Sequence, residues 1–300
     1  MRAPSGSLYH EQGRTPRVGK RTWWTEFLLV PGLIVAALLA TTGIEIAIAS
    51  VAEANPPAAD SDDIFTNPLA NVTALLIGLA ACIPAVWFGV RWASHRLPGT
   101  LSSVTGGLRW GWLSRCSAVA FALMAVQLGL LLAWTWDTDT GATLERDFPG
   151  WPALLLSLAV LCAVVPFQAA AEEYVFRGWV VQLIGQLMRS RWPGIVLASL
   201  LFALAHGLGE RSGFALLFYS ALWWGWLVIR TGGLEAVIAL HTANNVLSLV
   251  LAAAFGELAD SSTAADAPWQ ALALELVFAP LYCLIAARLS DRHGMARQTP

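Results

Sequence analysis

Stretches of about twenty residues with scarcely a charge among them recur along this 300-residue chain, and that recurrence limits its fold more than any other feature. A helix rising about 1.5 Å per residue needs about twenty residues to cross a hydrocarbon core about 30 Å thick. Eight candidates fall at about 27–50, 69–92, 113–136, 152–188, 193–209, 213–229, 233–255 and 270–288. The fifth and sixth are short. The fourth exceeds one crossing, and Pro166 is placed to kink it. Lipid offers no hydrogen bonds, so each stretch has to satisfy its own backbone as a helix. Only 13% of residues are charged, against about a quarter in soluble domains. The expected fold is all-α, a multi-pass transmembrane helical bundle of about eight helices embedded in a lipid bilayer.

Orientation follows from positive charge in short loops. Arg14, Arg17, Lys20 and Arg21 precede the first span, and Arg91, Arg96 and Arg109 join the second to the third. Arg189 and Arg191 join the fourth to the fifth, Arg230 follows the sixth, and Arg288, Arg292 and Arg297 follow the eighth. All fall on one side. The opposite loops carry Glu53, Asp60, Asp62 and Asp63, then Asp137, Asp139, Glu145 and Asp147, and finally Glu257, Asp260 and Asp266. Both termini are therefore expected to be cytoplasmic. Heavy use of Arg over Lys points to a prokaryotic source and hence to a bacterial inner or cell membrane, with a multi-pass protein in the plasma membrane.

Residues 1–22 are polar and rich in Gly, Pro and Arg, and read as a disordered cytoplasmic arm. Residues 23–300 read as a single transmembrane domain, with a catalytic core at about 150–255. Trp23, Trp24, Trp110, Trp112, Trp134, Trp136, Trp151, Trp192 and Trp269 lie near span ends, as an anchoring belt does. No basic groove accompanies them, so no nucleic-acid partner is expected. Cys82, Cys116, Cys162 and Cys283 show no paired spacing. Glu45 and Glu275 sit near the outer ends of their spans, within reach of water, and read as structural.

Polar residues inside the apolar runs form three constellations. In the first, AAAEEYVFRGW, Glu173 and Arg177 lie four apart on one helical face and can pair, while Glu172 points about 100° away. Pairing makes the buried Arg tolerable and leaves Glu172 over. Desolvation disfavours a lone carboxylate charge, which suits that group to proton transfer as a general base. The second is Phe202 with His206, and the third is His241 with Asn245 on one face of EAVIALHTANNVLSLVL. At about 1.5 Å per residue, Glu172, His206 and His241 lie roughly 24, 20 and 12 Å from the cytoplasmic ends of their spans, within a core about 30 Å thick.

Each constellation alone is equally well a polar tie between helices. Together they supply a base, a partner and donors. Glu172 with His206 can activate a water, while His241 and Asn245 donate to the oxyanion of an attacked peptide carbonyl. The same atoms fit a rival, because two His and one carboxylate, here Glu172, His206 and His241, make a catalytic zinc set. The cofactor is zinc in that reading and none in the other. No G-x-S-x-G elbow or H-E-x-x-H pattern is present.

The motifs Glu172-Glu173-x-x-x-Arg177, Phe202-x-x-x-His206 and His241-x-x-x-Asn245, in this order on successive helices, resemble those of the CPBP family of intramembrane proteases. That family includes CAAX prenyl endopeptidases and bacteriocin-processing or immunity proteins. The resemblance covers roughly residues 150–255. It implies an eight-helix-like membrane fold, hydrolysis of peptide bonds in a peptide or protein substrate, and catalytic roles for Glu172, His206, His241 and Asn245 by a metalloprotease or a glutamate mechanism. Two other uses of the same polar cavity are a non-catalytic scaffold, such as a peptide-binding or immunity protein, and a proton-linked transporter, against which stands the lack of repeat symmetry.

Overall fold

The computed structural model describes residues 1–16, 18–52, 57, 63–137, 147–259 and 263–300. Arg17, Glu53, Asp60, Asp62, Asp139, Glu145 and Asp260 of the charge pattern lie outside the described residues. The remainder is a helical bundle. Its principal helices are α1 (Lys20–Ala52), α2 (Pro68–Ser94), α3 (Trp110–Thr135), α4 (Trp151–Leu187), α5 (Trp192–Ala205), α6 (Arg211–Thr231), α7 (Glu235–Ala254) and α8 (Trp269–Arg292).

Seven of these eight are long and apolar enough to cross a membrane. The exception is α5, whose 14 residues span roughly 21 Å at about 1.5 Å per residue. The fifth span, expected to reach residue 209, stops at Ala205 for local reasons. The His206 ring bonds back to the Phe202 carbonyl at 2.9 Å, and Gly207 follows with φ +96°, a left-handed conformation that ends a helix cheaply only at glycine. In α2, Pro84 has no N–H to offer the Ala80 carbonyl, and a turn at Ala81 interrupts the helix there. Within α4 the chain stays helical through Pro166 to Glu173. It then widens into a π-helical turn over Tyr174–Val180, immediately after the two glutamates.

The centre of the bundle is α7, whose first nine residues are all buried. It packs against α3 and α4, with α6 holding α5 and α8, and α2 linking α1 to α4. By contrast α1 exposes Leu28, Val35, Leu39 and Val51, as a helix facing lipid does. Of the expected belt, Trp24, Trp110, Trp134, Trp136, Trp151, Trp192 and Trp269 are exposed, but Trp112 is buried in the core.

Residues 1–16 do not form the disordered arm that their composition suggests. Arg14 donates to the carbonyls of Gly185 and Met188, and His10 bonds that of Arg189. These carbonyls end α4 or follow it, and a helix leaves such groups without internal partners. The close fit is visible at Gly185, where a β-carbon would collide with the His10 carbonyl. Tyr9 is fully buried and donates to the Leu101 carbonyl, while Gln12 bonds Thr299 at 2.7 Å, clasping the C-terminal residues. A polar segment becomes ordered here because the bundle presents it with unpaired acceptors.

Candidate active site

All three constellations converge on α7. Oε1 of the fully buried Glu173 accepts from Nη1 of Arg177 at 3.0 Å, as the spacing predicts, and also from Nδ1 of His241 at 2.8 Å. The pairing survives the π turn. The Arg177 guanidinium lies 4.0 Å from the centre of the Phe202 ring and 5.0 Å from that of Trp224, where the ring faces attract a cation. Phe202 and Trp224 also flank the His241 ring at 5.9 and 5.3 Å. One aromatic pair therefore steadies both the arginine and the histidine.

Glu172 has different neighbours, as its position on the helix requires. Its Oε1 accepts from Gln168 Nε2 at 2.5 Å. Its Oε2 has no hydrogen-bond partner and lies 3.7 Å from His241 Nε2, with the side chain 15% exposed. Gln168, one turn earlier on α4, accepts from Asn245 Nδ2 at 3.0 Å and so joins α4 to α7. That bond uses one of the two Asn245 amide hydrogens. Sequence reasoning missed Gln168, although it is a buried polar residue in an apolar run, four positions before Glu172 and hence on its face.

Both imidazoles are fixed through Nδ1. A carbonyl or carboxylate only accepts, so the nitrogen facing it carries the proton: Nδ1 of His206 donates to the Phe202 carbonyl and Nδ1 of His241 to Glu173. Each ring is left with Nε2 for other chemistry. His206 is half-buried, and no hydrogen bond joins it to Glu172 among the described residues. It meets the cluster as a wall of a shared cavity of about 530 Å³, which Gln168, His241 and Asn245 also line. Glu172 adjoins that cavity through Gln168 and His241. Glu275, expected near water at the end of its span, is instead only 9% exposed and lines the same cavity.

Anchoring through Nδ1 is what a zinc-binding histidine shows, and both histidines have it. Their arrangement is less suitable: among the described residues no group of three or more His, Cys, Asp and Glu side chains is placed to hold a metal ion. Glu172, His206 and His241 are not gathered into such a group in this conformation.

Comparison with known proteins supports the motifs. Residues 151–247 match the family model described as type II CAAX prenyl endopeptidase Rce1-like. The chain is also 26% identical over 241 residues to the uncharacterized protein YyaK of Bacillus subtilis (strain 168), covering 77% of this chain and 78% of that one. No solved structure matches. The matched stretch begins at the start of α4 and ends two residues after Asn245, so it holds every residue of the three motifs: over residues 151–247 this integral membrane protein is similar to the Rce1-like family.

Proposed function

We propose that this chain is an intramembrane endopeptidase that hydrolyses peptide bonds of membrane-associated substrates in a bacterial plasma membrane, with both termini in the cytoplasm. The reading rests on one observation. Glu172 keeps an oxygen without a hydrogen-bond partner 3.7 Å from the Nε2 of a positioned histidine, beside a cavity that Gln168, His206, His241 and Asn245 line inside an apolar bundle. That gap is too long for a hydrogen bond, and a water seated against both groups bridges it.

Glu172 is the general base that takes a proton from this water as its oxygen bonds to the substrate carbonyl carbon. Gln168 holds the other carboxylate oxygen, so Oε2 is the one presented. The oxyanion receives hydrogen bonds from the Asn245 amide and from His241 when Nε2 is protonated, with Glu173 stabilising the imidazolium from behind. Glu172 then returns the proton to the departing amine as the C–N bond breaks. His206 offers Nε2 across the cavity to orient the water or the leaving group. The Rce1-like segment supports the protease class, and the arrangement of the histidines favours a metal-free course over zinc ligation.

Glu172→Gln in purified protein reconstituted into bilayers is expected to cut cleavage of hydrophobic peptides at least ~100-fold, the usual worth of a general base, with yield and thermal melting unchanged. Undiminished cleavage defeats the proposal. A cellular phenotype that survives the substitution assigns the cavity to scaffold or immunity binding instead. Metal content of the active wild-type preparation decides the cofactor: stoichiometric zinc, lost together with activity on chelation, replaces the metal-free course.

A further inference from the structure

Four carboxylates in this molecule are at least nine-tenths buried among the described residues: Glu26, Glu173, Glu235 and Glu275. Three of them hold an arginine. Glu26 pairs with Arg96 at 2.6 Å, Glu235 with Arg109 at 2.6 Å and Glu173 with Arg177 at 3.0 Å. The pattern has a physical reason, since a buried charge without its counter-charge is costly. Glu275 departs from it. On α8 it accepts from Ser220 Oγ of α6 at 2.5 Å and from Gln127 Nε2 of α3 at 2.7 Å, and no cationic side chain lies within ion-pair distance of it among the described residues. Two neutral donors orient a carboxylate without neutralising it.

The place of Glu275 is as informative as its partners. It lines the 530 Å³ cavity that His206, His241 and Asn245 share, and Ser220 and Gln127 line it too. No Lys or Arg does so among the described residues. Its distance from the reacting centre follows from α6. Ser220 and Trp224 are four apart and so lie on one face, about one turn or 6 Å from each other. Trp224 touches His241. A peptide in extended form advances about 3.3 Å per residue, so this chain of contacts places Glu275 no more than about four residues along a substrate from a bond held at His241. The rest of the wall is largely leucine, including Leu75, Leu79, Leu128 and Leu131, and suits apolar neighbours.

We propose that Glu275, oriented by Ser220 and Gln127, forms a specificity subsite for a positively charged substrate side chain, Lys or Arg, within about four residues of the cleaved bond. The substrate thereby supplies the missing counter-charge. This rests on the peptidase reading for what the cavity binds, and its test separates the two. Ten-residue apolar peptides, each carrying one Lys at a successive position, are titrated against the protein in lipid nanodiscs beside matching peptides with norleucine, which has the chain but no ammonium. At the best position the Lys peptide is expected to bind at least tenfold more tightly, and in Glu275→Gln the ratio is expected to fall to about one. A wild-type ratio near one at every position overturns the proposal, as does failure of every Lys peptide to bind. A tenfold ratio that persists in Glu275→Gln also overturns it, and if that variant folds poorly Ser220→Ala, expected to lower the ratio, decides in its place. Cleavage is read by mass in the same samples. A Lys preference in binding with no peptide cut counts against the peptidase and for the subsite, and cutting without preference counts against the subsite alone.

Discussion

Oε1 of Glu173 has two donors, and removing either partner affects both the fold and the site. Glu173→Gln strands Arg177 in the core and frees the His241 ring. Arg177→Met strands Glu173. Each is expected to cost about 3–5 kcal/mol, as breaking a buried pair does, while the double change should recover a sizeable part of the loss because neither charge is left alone. Thermal melting of the three variants in one detergent checks this, and strictly additive losses would show that the pair does not interact. Of this arrangement, the Glu173–Arg177 contact was legible from spacing alone. The second donor was not, because His241 lies 68 positions away and only the packing of α7 on α4 brings it there. Gln168 and Glu275 are intermediate cases. Each is a visible polar residue in an apolar run, but the sequence does not say whether such a residue faces a cavity, a neighbour or the membrane surface.

Among the elements, the hydrophobic runs located the helices to within several residues, since length and apolarity are properties of each segment by itself. The end of α5, the π turn in α4 and the N-terminal segment were not legible. Each depends on a partner distant in sequence or on backbone hydrogen bonding. The N-terminal segment carries its own pH response. Nε2 of His10 donates to the Arg189 carbonyl, its Nδ1 is buried without a partner, and burial lowers the affinity of the ring for a proton. In a released segment the ring titrates at its ordinary value, about 6.5. The released form thus binds the proton more readily than the docked form. Docking is at full strength above about pH 6.5, weakens as pH falls below that, and levels off beneath the depressed value of the docked ring. Hydrogen exchange at residues 8–14, corrected for intrinsic rates, should therefore quicken between about pH 7.5 and 5. In His10→Phe the quickening should be absent, and an unchanged wild-type profile would show that the ring does not set the docking strength.

For the whole molecule, the charges gather at opposite poles, but they do so differently from a count of loop residues. Arg96 and Arg109 are not loop charges: Arg96 is fully buried against Glu26, and Arg109 spends its guanidinium on Glu235 and the Thr231 and Ala296 carbonyls. Together with the N-terminal segment on the end of α4 and the Arg230–Asp291 pair, they bind the ends of α1 to α4 and α6 to α8 into one pole. Asp63, Asp137, Glu257 and Asp266 belong to the other. The positive-inside rule acts on charges that are free during insertion, and a helix pair has not yet formed when its first member inserts. Arg96 and Arg109 therefore count toward orientation at that stage and toward stability afterwards. Exchanging them for Met, with Glu26 and Glu235 changed to Gln to leave no stranded charge, should leave the orientation in place, because Lys20, Arg21, Arg91, Arg189 and Arg191 remain on the same side. The check is a reporter enzyme active only outside the cytoplasm. Fused after Pro300 it should be silent, and inserted between α1 and α2 it should be active, in both the native chain and the fourfold variant. Activity at Pro300 in the native chain would reverse the assignment of the poles, and activity there in the variant alone would mean that the two buried arginines, rather than the flanking charges, orient the bundle.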